Sequence, residues 1–541
     1  LNYTNIVSNS GPINITGARL TGTGNHSVRF NTRGTGQTNN IGALTASRST
    51  GFLAYPTISI TSSTSDVTVT GDSLVLYSTY FRNTGDLVLQ PYAANFDRRQ
   101  YFSTDWGAYF PATFKSVRIG KAGTSGANQS SADVDLDRFA SRGDIAIYGG
   151  NINLKDGLTT SATSGNGILV KATNTVTFQD GVSGTNKTTQ VTGTNSTAPI
   201  NIWANADASG EGRIYVRNYN DFTTQGGNIT FGGSAAAADT SPGSYAVSTT
   251  AGYGGVSLGS YNGISNANVR INSNGGDIAL RGKGTGTSSW GIVAYTGHYV
   301  NSGTGRILMD GYQTNTGNGI DLEGTSSNLS TVTSAATASA TPAISLIGKC
   351  DNSGVGDAGQ RGLFLTTILF SATGGGDISF TGDNTAVHAT NPGSIYVFGS
   401  DILASTGAVT LDGGVDGVVT SLSGYTTNIG ALSAGSATGA VSIIGDRVGS
   451  AGTTNIKTTG SVVVEPKSAT FTTFSLSGMA INAVASSIRI AKATDKTSAM
   501  AIGGSLSANG PISIYGGDIT LSAGLAVTPS TSGAILVKAG G

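Results

Sequence analysis

A short pentapeptide pattern recurs along the 541-residue chain and limits what the chain can fold into. The pattern is Gly, any residue, an aliphatic residue, any residue, and then a second aliphatic residue or Phe. Its copies are Gly11–Ile15, Gly85–Leu89, Gly143–Ile147, Gly150–Leu154, Gly227–Phe231, Gly276–Leu280, Gly376–Phe380, Gly407–Leu411, Gly439–Ile443, Gly510–Ile514 and Gly517–Leu521.

Each copy predicts a very short strand with one buried face, because residues two apart on a strand point to the same side. We expect the leading Gly to supply a corner with positive φ. Two apolar residues cannot sustain an independent sheet, whereas many such strands stacked on one another complete a shared core. The sequence therefore predicts an all-β fold, a parallel β-solenoid with rungs of about 20–25 residues and irregular loops.

The composition agrees with this fold and excludes several others. Glycine supplies 81 residues, and Gly, Ser, Thr and Asn are poor helix formers. A hydrophobic fraction of 38% with zero net charge is unlike a disordered chain. Thirty basic residues balance thirty acidic ones, which gives no electrostatic basis for binding nucleic acid. No stretch approaches the ~18 consecutive apolar residues of a membrane helix, so we expect no membrane span.

The sequence suggests three regions. Residues 1–76 are interpreted as N-terminal β rungs, 77–114 as an aromatic-rich insertion or cap, and 115–541 as the main β-solenoid. Within the last region, 145–172 aligns without a gap to 512–539 with 14 identities in 28 positions. We expect these two segments to be copies of one supersecondary unit.

The strings Gly143–Ile147 and Gly149–Lys155, with Ser-, Thr- and Gly-rich loops between such copies, resemble the repeats of bacterial filamentous-haemagglutinin-type exoproteins and other β-strand-repeat surface proteins. The resemblance is at the level of the repeat and covers most of 115–541 loosely. It implies a right-handed parallel β-helix, export across a Gram-negative outer membrane, and adhesion or fibre formation. The resemblance implies no catalytic residue.

The acidic string Asp133, Asp135 and Asp137 is the one candidate metal site. Its carboxylates alternate onto one face of a predicted strand, where oxygen ligands could hold calcium. The competing interpretation is a solvated strand face without a cofactor. Cys350 is the only cysteine, so no intramolecular disulfide forms, and we expect it to be a small buried residue.

The aromatic-rich region offers a candidate contact for a partner or glycan. Arg98, Arg99, Tyr101, Trp106 and Tyr109 could stack on sugars or anchor a partner. The alternative is a local hydrophobic cluster that seals the flank of the solenoid.

The favoured function is that of an extracellular or cell-surface structural and adhesive protein that builds or belongs to a filament, and not of an enzyme. A polysaccharide-binding or polysaccharide-degrading β-helix and a surface-layer or sheath protein are the alternatives. We expect the chain to contact copies of itself head to tail, because its last predicted strand is apolar and has no polar cap. Cell-surface glycans are a second expected partner. The absence of an initial Met and of a signal-like start suggests a processed chain or part of a longer one.

Overall fold

The structure is a computed structural model that contains strands and turns and, among the residues it describes, no helix. The described residues are 5–6, 8, 11–17, 28–30, 39–41, 64–76, 79–102, 108–110, 113–123, 130–208, 210–233, 244–259, 268–351, 360–384, 394–431, 439–482, 484–528 and 534–540. The chain divides into two compact units, unit 1 (1–246) and unit 2 (247–541). The strand Ala246–Ser248 contains the residue at which the units are divided.

The chain in unit 1 winds around three faces, each built of parallel strands. Each turn of the chain adds one strand to each face. The first sheet consists of Ile13–Gly17, Val67–Gly71, Asp86–Gln90, Ser116–Ile119, Ile145–Gly149, Ile168–Ala172, Ile200–Ala204 and Ile229–Gly233. The second face holds Val28–Phe30, Leu74–Leu76, Gln100–Phe102, Val134–Leu136, Ile152–Leu154, Val176–Phe178 and Ile214–Val216. The third face holds Asn5–Ile6, Asn39–Ile41, Thr79–Phe81, Ala108–Tyr109, Phe139–Ser141, Leu158–Thr160, Lys187–Val191 and Asn220–Thr223.

Unit 2 is built in the same way. Its first sheet consists of Ile278–Gly284, Ile307–Gln313, Ile344–Cys350, Ile378–Asn384, Val409–Asp412, Val441–Ile444, Ser461–Glu465, Ser487–Ile490, Ile512–Gly516 and Ile535–Ala539. Its second face holds Gly254–Leu258, Trp290–Ala294, Ile320–Glu323, Leu363–Thr366, Ile395–Phe398, Val418–Val419, Arg447–Gly449, Thr473–Phe474, Met500–Ile502 and Ile519–Leu521. Its third sheet holds Arg270–Asn272, Tyr299–Asn301, Ser330–Ser334, Ile368–Ala372, Asp401–Ala404, Thr426–Ala431, Thr453–Lys457, Met479–Ile481, Leu506–Ala508 and Leu525–Val527.

The core of each unit is a set of aliphatic ladders that run across the rungs. In unit 1 the first residues of the pentapeptide strands stack in register, and all of them are buried: Ile13, Val67, Leu87, Val117, Ile145, Ile168, Ile200 and Ile229. Burying one such side chain contributes about 1.5–3 kcal/mol. The all-β, parallel β-solenoid fold predicted from the pentapeptides is confirmed, and Cys350 is buried and forms no disulfide.

The rungs are unequal in length, as the predicted irregular loops imply, and several are longer than the predicted length of about 20–25 residues. Consecutive ladder partners lie 20 residues apart at Val67 and Leu87 but 37 apart at Ile307 and Ile344. Unequal loops at the corners account for the difference, because the strands themselves keep a common register.

The leading glycines do not act through positive φ as expected. None of the described pentapeptide glycines has φ in the left-handed region. Several of them instead lie where the rungs approach closely: a Cβ on Gly439 would lie 1.8 Å from the carbonyl oxygen of Gly407, and a Cβ on Gly407 2.2 Å from that of Gly376. Gly376, Gly407 and Gly439 therefore form a glycine ladder, in which a side chain at Gly407 or Gly439 would collide with the previous rung.

The two aligned segments have matching strand bounds. In the first, Ile145–Gly149 pairs with Ile168–Ala172, and in the second Ile512–Gly516 pairs with Ile535–Ala539, each over five residue pairs. Their surroundings differ, since the strand at 168–172 is wholly buried and the strand at 535–539 is exposed along its length.

The described strands within 77–114 pair in parallel with the rungs on either side. Phe81 and Phe102 are fully buried, and Phe81 stacks on Phe110 with ring centroids 5.3 Å apart. These aromatic side chains thus contribute to the core between rungs. The insertion-or-cap boundaries drawn from the sequence stay a prediction.

Candidate functional site

The outer face of the second sheet of unit 1 carries aligned polar and aromatic side chains. Parallel pairing places Tyr101, Asp135, Asn153, Thr177 and Tyr215 opposite one another on successive strands. Each lies between two buried inward-pointing residues, and therefore points outward. The solenoid core holds the backbone beneath them in place.

A continuous series of side-chain hydrogen bonds crosses this face. Arg99 donates to Asp135 twice, from Nε to Oδ2 at 3.1 Å and from Nη2 to Oδ1 at 2.7 Å. Asn153 Nδ2 donates to Asp135 Oδ1 at 3.0 Å, and Gln179 Nε2 donates to Asn153 Oδ1 at 2.5 Å. Arg217 Nη1 then donates to Gln179 Oε1 at 2.9 Å. We call these five residues the polar row.

An arginine and a tyrosine stand together at each end of the polar row. The Arg99 guanidinium lies 5.6 Å from the ring centroid of Tyr101, and that of Arg217 lies 6.0 Å from the ring of Tyr215. Arg217 Nη2 also pairs with Asp180 Oδ2 at 2.8 Å. Both ends therefore offer a charged planar donor beside an aromatic ring.

The electrostatics of the row hold it in one arrangement. The hydrogen bond to Asp135 raises the pKa of Arg99 despite partial burial. The Asp135 side chain is 5% exposed, whereas that of Arg99 is 45% exposed. The carboxylate is thus the buried anchor, and the guanidinium is the group that a ligand can reach.

The three acidic residues predicted to bind calcium have separate roles here. Asp135 alone lies within the strand and points outward, where it binds Arg99. Asp133 Oδ1 accepts hydrogen bonds from the backbone N and the Nδ2 of Asn151, both at 2.9 Å, and Asp137 lies beyond the strand. Across the described residues, no three potential metal-binding side chains come together. The calcium site stays a prediction, and the structure gives Asp135 a different partner.

Of the remaining residues predicted for a glycan contact, only Arg98 has a side chain that the structure describes, and it makes a different contact. Arg98 Nε donates to Ser73 Oγ at 2.7 Å. Trp106 lies outside the described residues. The backbone of Tyr109 pairs with Tyr80, and its side chain is outside the described part of the structure. Two of the five predicted residues, one arginine and one tyrosine, therefore stand at one end of the polar row.

The other end of the row was missed by sequence reasoning. Asn153, Gln179, Arg217 and Tyr215 come from three later rungs, and the hydrogen-bonded partners are separated by 18, 26 and 38 positions. The only sign of such positions in the sequence is a polar or aromatic residue next to apolar residues that lie two positions apart. That signal occurs throughout the chain, and loops of unequal length hide which copies become neighbours.

A second polar cluster, in unit 2, contains a buried carboxyl group with a raised pKa. Asp321 is buried on the second face, and Asn318 Nδ2 donates to its Oδ2 at 2.8 Å. Burial, and secondarily the charge of Glu323, raise the pKa of Asp321 to about 7, while hydrogen bonds from Asn318 and Trp290 act in the opposite direction. Burial also raises the pKa of Glu323. Nothing in the local sequence indicated this cluster.

No family model, curated protein or solved structure matches the chain. Within the part of the chain that the structure describes, no helix has the length and apolar character needed to cross a membrane. The polar row and the fold that displays it are therefore the basis for assigning a function.

Proposed function

We propose that this chain is an extracellular structural and adhesive protein that belongs to a surface filament and contacts cell-surface glycans through the polar row. The observation that carries the proposal is the hydrogen-bonded series from Arg99 to Arg217, with an Arg–Tyr pair at each end. With strands about 4.8 Å apart, Tyr101 and Tyr215 lie on the order of 19 Å from each other.

The chemistry of the row suits a carbohydrate. Tyrosine rings supply flat apolar faces for sugar C–H groups, and the guanidinium and amide groups supply donors for hydroxyls. Since the side chains are already held by one another, a ligand orders little upon binding, which favours affinity. A row of side chains along the side of a solenoid also offers contacts to several successive sugars of an extended polysaccharide.

The direct test is binding of the purified chain to an array of surface polysaccharides. We expect a subset of glycans to bind, and Arg99→Ala combined with Tyr101→Ala to weaken that binding at least tenfold. Arg118→Gln, an exposed charge on the first sheet whose Nη2 contacts Gln90, is the control and should bind like the unaltered chain. Glycan binding that is unchanged in the double variant would contradict the assignment of the polar row.

Filament formation is supported by the strand at 535–539. Its side chains Ile535, Leu536 and Val537 are 47%, 44% and 40% exposed. A strand edge with exposed apolar side chains favours pairing with another strand. We propose that a second copy of the chain covers it head to tail, a heterologous contact that repeats into an open filament.

The alternative occupant of that edge is a continuation of the same polypeptide. A denatured mass near 54.2 kDa together with a much larger native mass supports pairing between copies. A larger denatured mass indicates a longer chain, and a native monomer at high concentration contradicts the filament.

A further inference from the structure

Unit 2 contains an open groove on the outer face of its third sheet, distinct from the polar row. Its volume is about 600 Å³. The lining residues that matter here are Asn268, Arg270, His298, Tyr299, Asn328 and Thr331. All of them come from three consecutive rungs and the loops that join them.

Three of these residues form a line across the rungs. The parallel register places Arg270 opposite Tyr299 and Tyr299 opposite Thr331. A cation, an aromatic ring and a hydroxyl therefore follow one another at about 4.8 Å intervals. Tyr299 is 37% exposed, so its ring is accessible from the groove.

Two buried polar atoms of the lining have no hydrogen-bond partner within the described structure, namely His298 Nε2 and Thr331 Oγ1. The other ring nitrogen of His298, Nδ1, lies 3.3 Å from the carbonyl oxygen of Tyr295 and can donate to it. That arrangement leaves Nε2 as an acceptor. A buried polar atom without a partner is unfavourable, and a ligand donor that reached Nε2 would pair it.

The groove carries a single positive charge at neutral pH. Arg270 Nε donates to Asn268 Oδ1 at 3.0 Å, and among the described residues no carboxylate pairs with this guanidinium. Burial lowers the pKa of His298 to about 4, so its ring is neutral. The lining thus combines a guanidinium that no carboxylate neutralises among the described residues with amides and an aromatic face.

We propose that this groove binds an acidic carbohydrate, with the anionic group of the sugar on Arg270 and the sugar face on Tyr299. The amide of Asn328 then meets a ring hydroxyl. A neutral glycan would leave the guanidinium without a counter-charge.

This inference rests on the proposed function only insofar as both concern carbohydrate, since the two sites share no residue. The experiment is a calorimetric titration of the full chain with an oligogalacturonate, a sulfated oligosaccharide of similar length and a neutral glucan. We expect the acidic sugars to bind at least tenfold more tightly than the neutral one. A preference between the carboxylate and the sulfate identifies the anionic group.

Variants separate the groove from the polar row. Arg270→Gln should weaken acidic-sugar binding at least tenfold and remove the preference over the neutral glucan, and Tyr299→Ala should weaken binding of all three sugars. Tyr92→Ala, an exposed tyrosine of unit 1, is the matched control. Arg99→Ala should leave the binding of acidic sugars to the groove unchanged. A loss of binding at the polar row can therefore be distinguished from a loss of binding at the groove. No binding of acidic sugars at millimolar concentration, or equal binding by Arg270→Gln, would overturn the proposal.

Discussion

At the scale of single residues, Asp321 and His298 make the stability of unit 2 depend on pH in opposite directions. The pKa of Asp321 is raised to about 7, so the folded state holds a proton that the unfolded state releases above about pH 4. Its stabilising contribution is complete below about pH 4 and is lost as the pH rises through 7. The pKa of His298 is lowered to about 4, so its contribution instead increases as the pH rises from 4 towards 6.5.

Replacing Asp321 with Asn should leave His298 as the group of this pair that makes stability depend on pH. Asp321→Asn keeps the size of the side chain and removes the titrating group. We therefore expect the variant to have the same free energy of unfolding as the unaltered protein near pH 4. Its advantage in free energy of unfolding should then grow by about 1 kcal/mol per pH unit up to about pH 7. Urea denaturation between pH 4 and 8 measures this, with the exposed Asp518→Asn as control. An advantage that does not change with pH would show that Asp321 is ionised in the folded state.

The environment of a residue, more than its identity, decides what it does in this chain. Lys171 is fully buried with its Nζ 4.2 Å from the ring centroid of Trp203, whereas its counterpart Lys538 is exposed. The local sequences around the two lysines are identical from Ile to Ala. Only the neighbouring rung, 32 positions away for Lys171 and Trp203, distinguishes them, and sequence comparison of the segments could not reveal it.

At the scale of elements, the glycine ladder allows neighbouring rungs to stack closely. Gly439→Ala should lower the free energy of unfolding by about 1–3 kcal/mol, because its Cβ would lie 1.8 Å from the Gly407 carbonyl oxygen. Gly449→Ala is the matched control, since nothing lies within 4 Å of a Cβ there. That change should alter stability by less than about 1 kcal/mol. Equal destabilisation by the two changes, measured by thermal or urea unfolding, would contradict a steric role for the ladder.

The strands could be predicted from the sequence, and the outer surface could not. Alternation of apolar residues after Gly places strands such as Ile145–Gly149 correctly, since their buried ladders repeat the same short-range pattern. The predicted role of the leading glycines, a corner with positive φ, was wrong. Whether a Cβ fits at such a position depends on how closely the neighbouring rung stacks, and the local sequence does not contain that information. Likewise, Arg99 and Asp135 were singled out separately, but their pairing spans 36 positions and depends on loop length.

At the scale of the whole molecule, the two units repeat one principle of construction: inward ladders form the core, and the alternate side chains point outward. The polar row of unit 1 and the groove of unit 2 both use those outward positions. Parallel strands at a constant spacing therefore serve as a scaffold on which groups from distant parts of the sequence are aligned.

The central claim is that such chains assemble into filaments, and electron microscopy of the purified chain at high concentration tests it most directly. We expect unbranched filaments for the unaltered chain. Val537→Asp should abolish them, because a charge would be placed on the exposed apolar strand, whereas Lys538→Ala should leave them intact. Isolated particles at every concentration, or a two-dimensional lattice in place of filaments, would contradict the account.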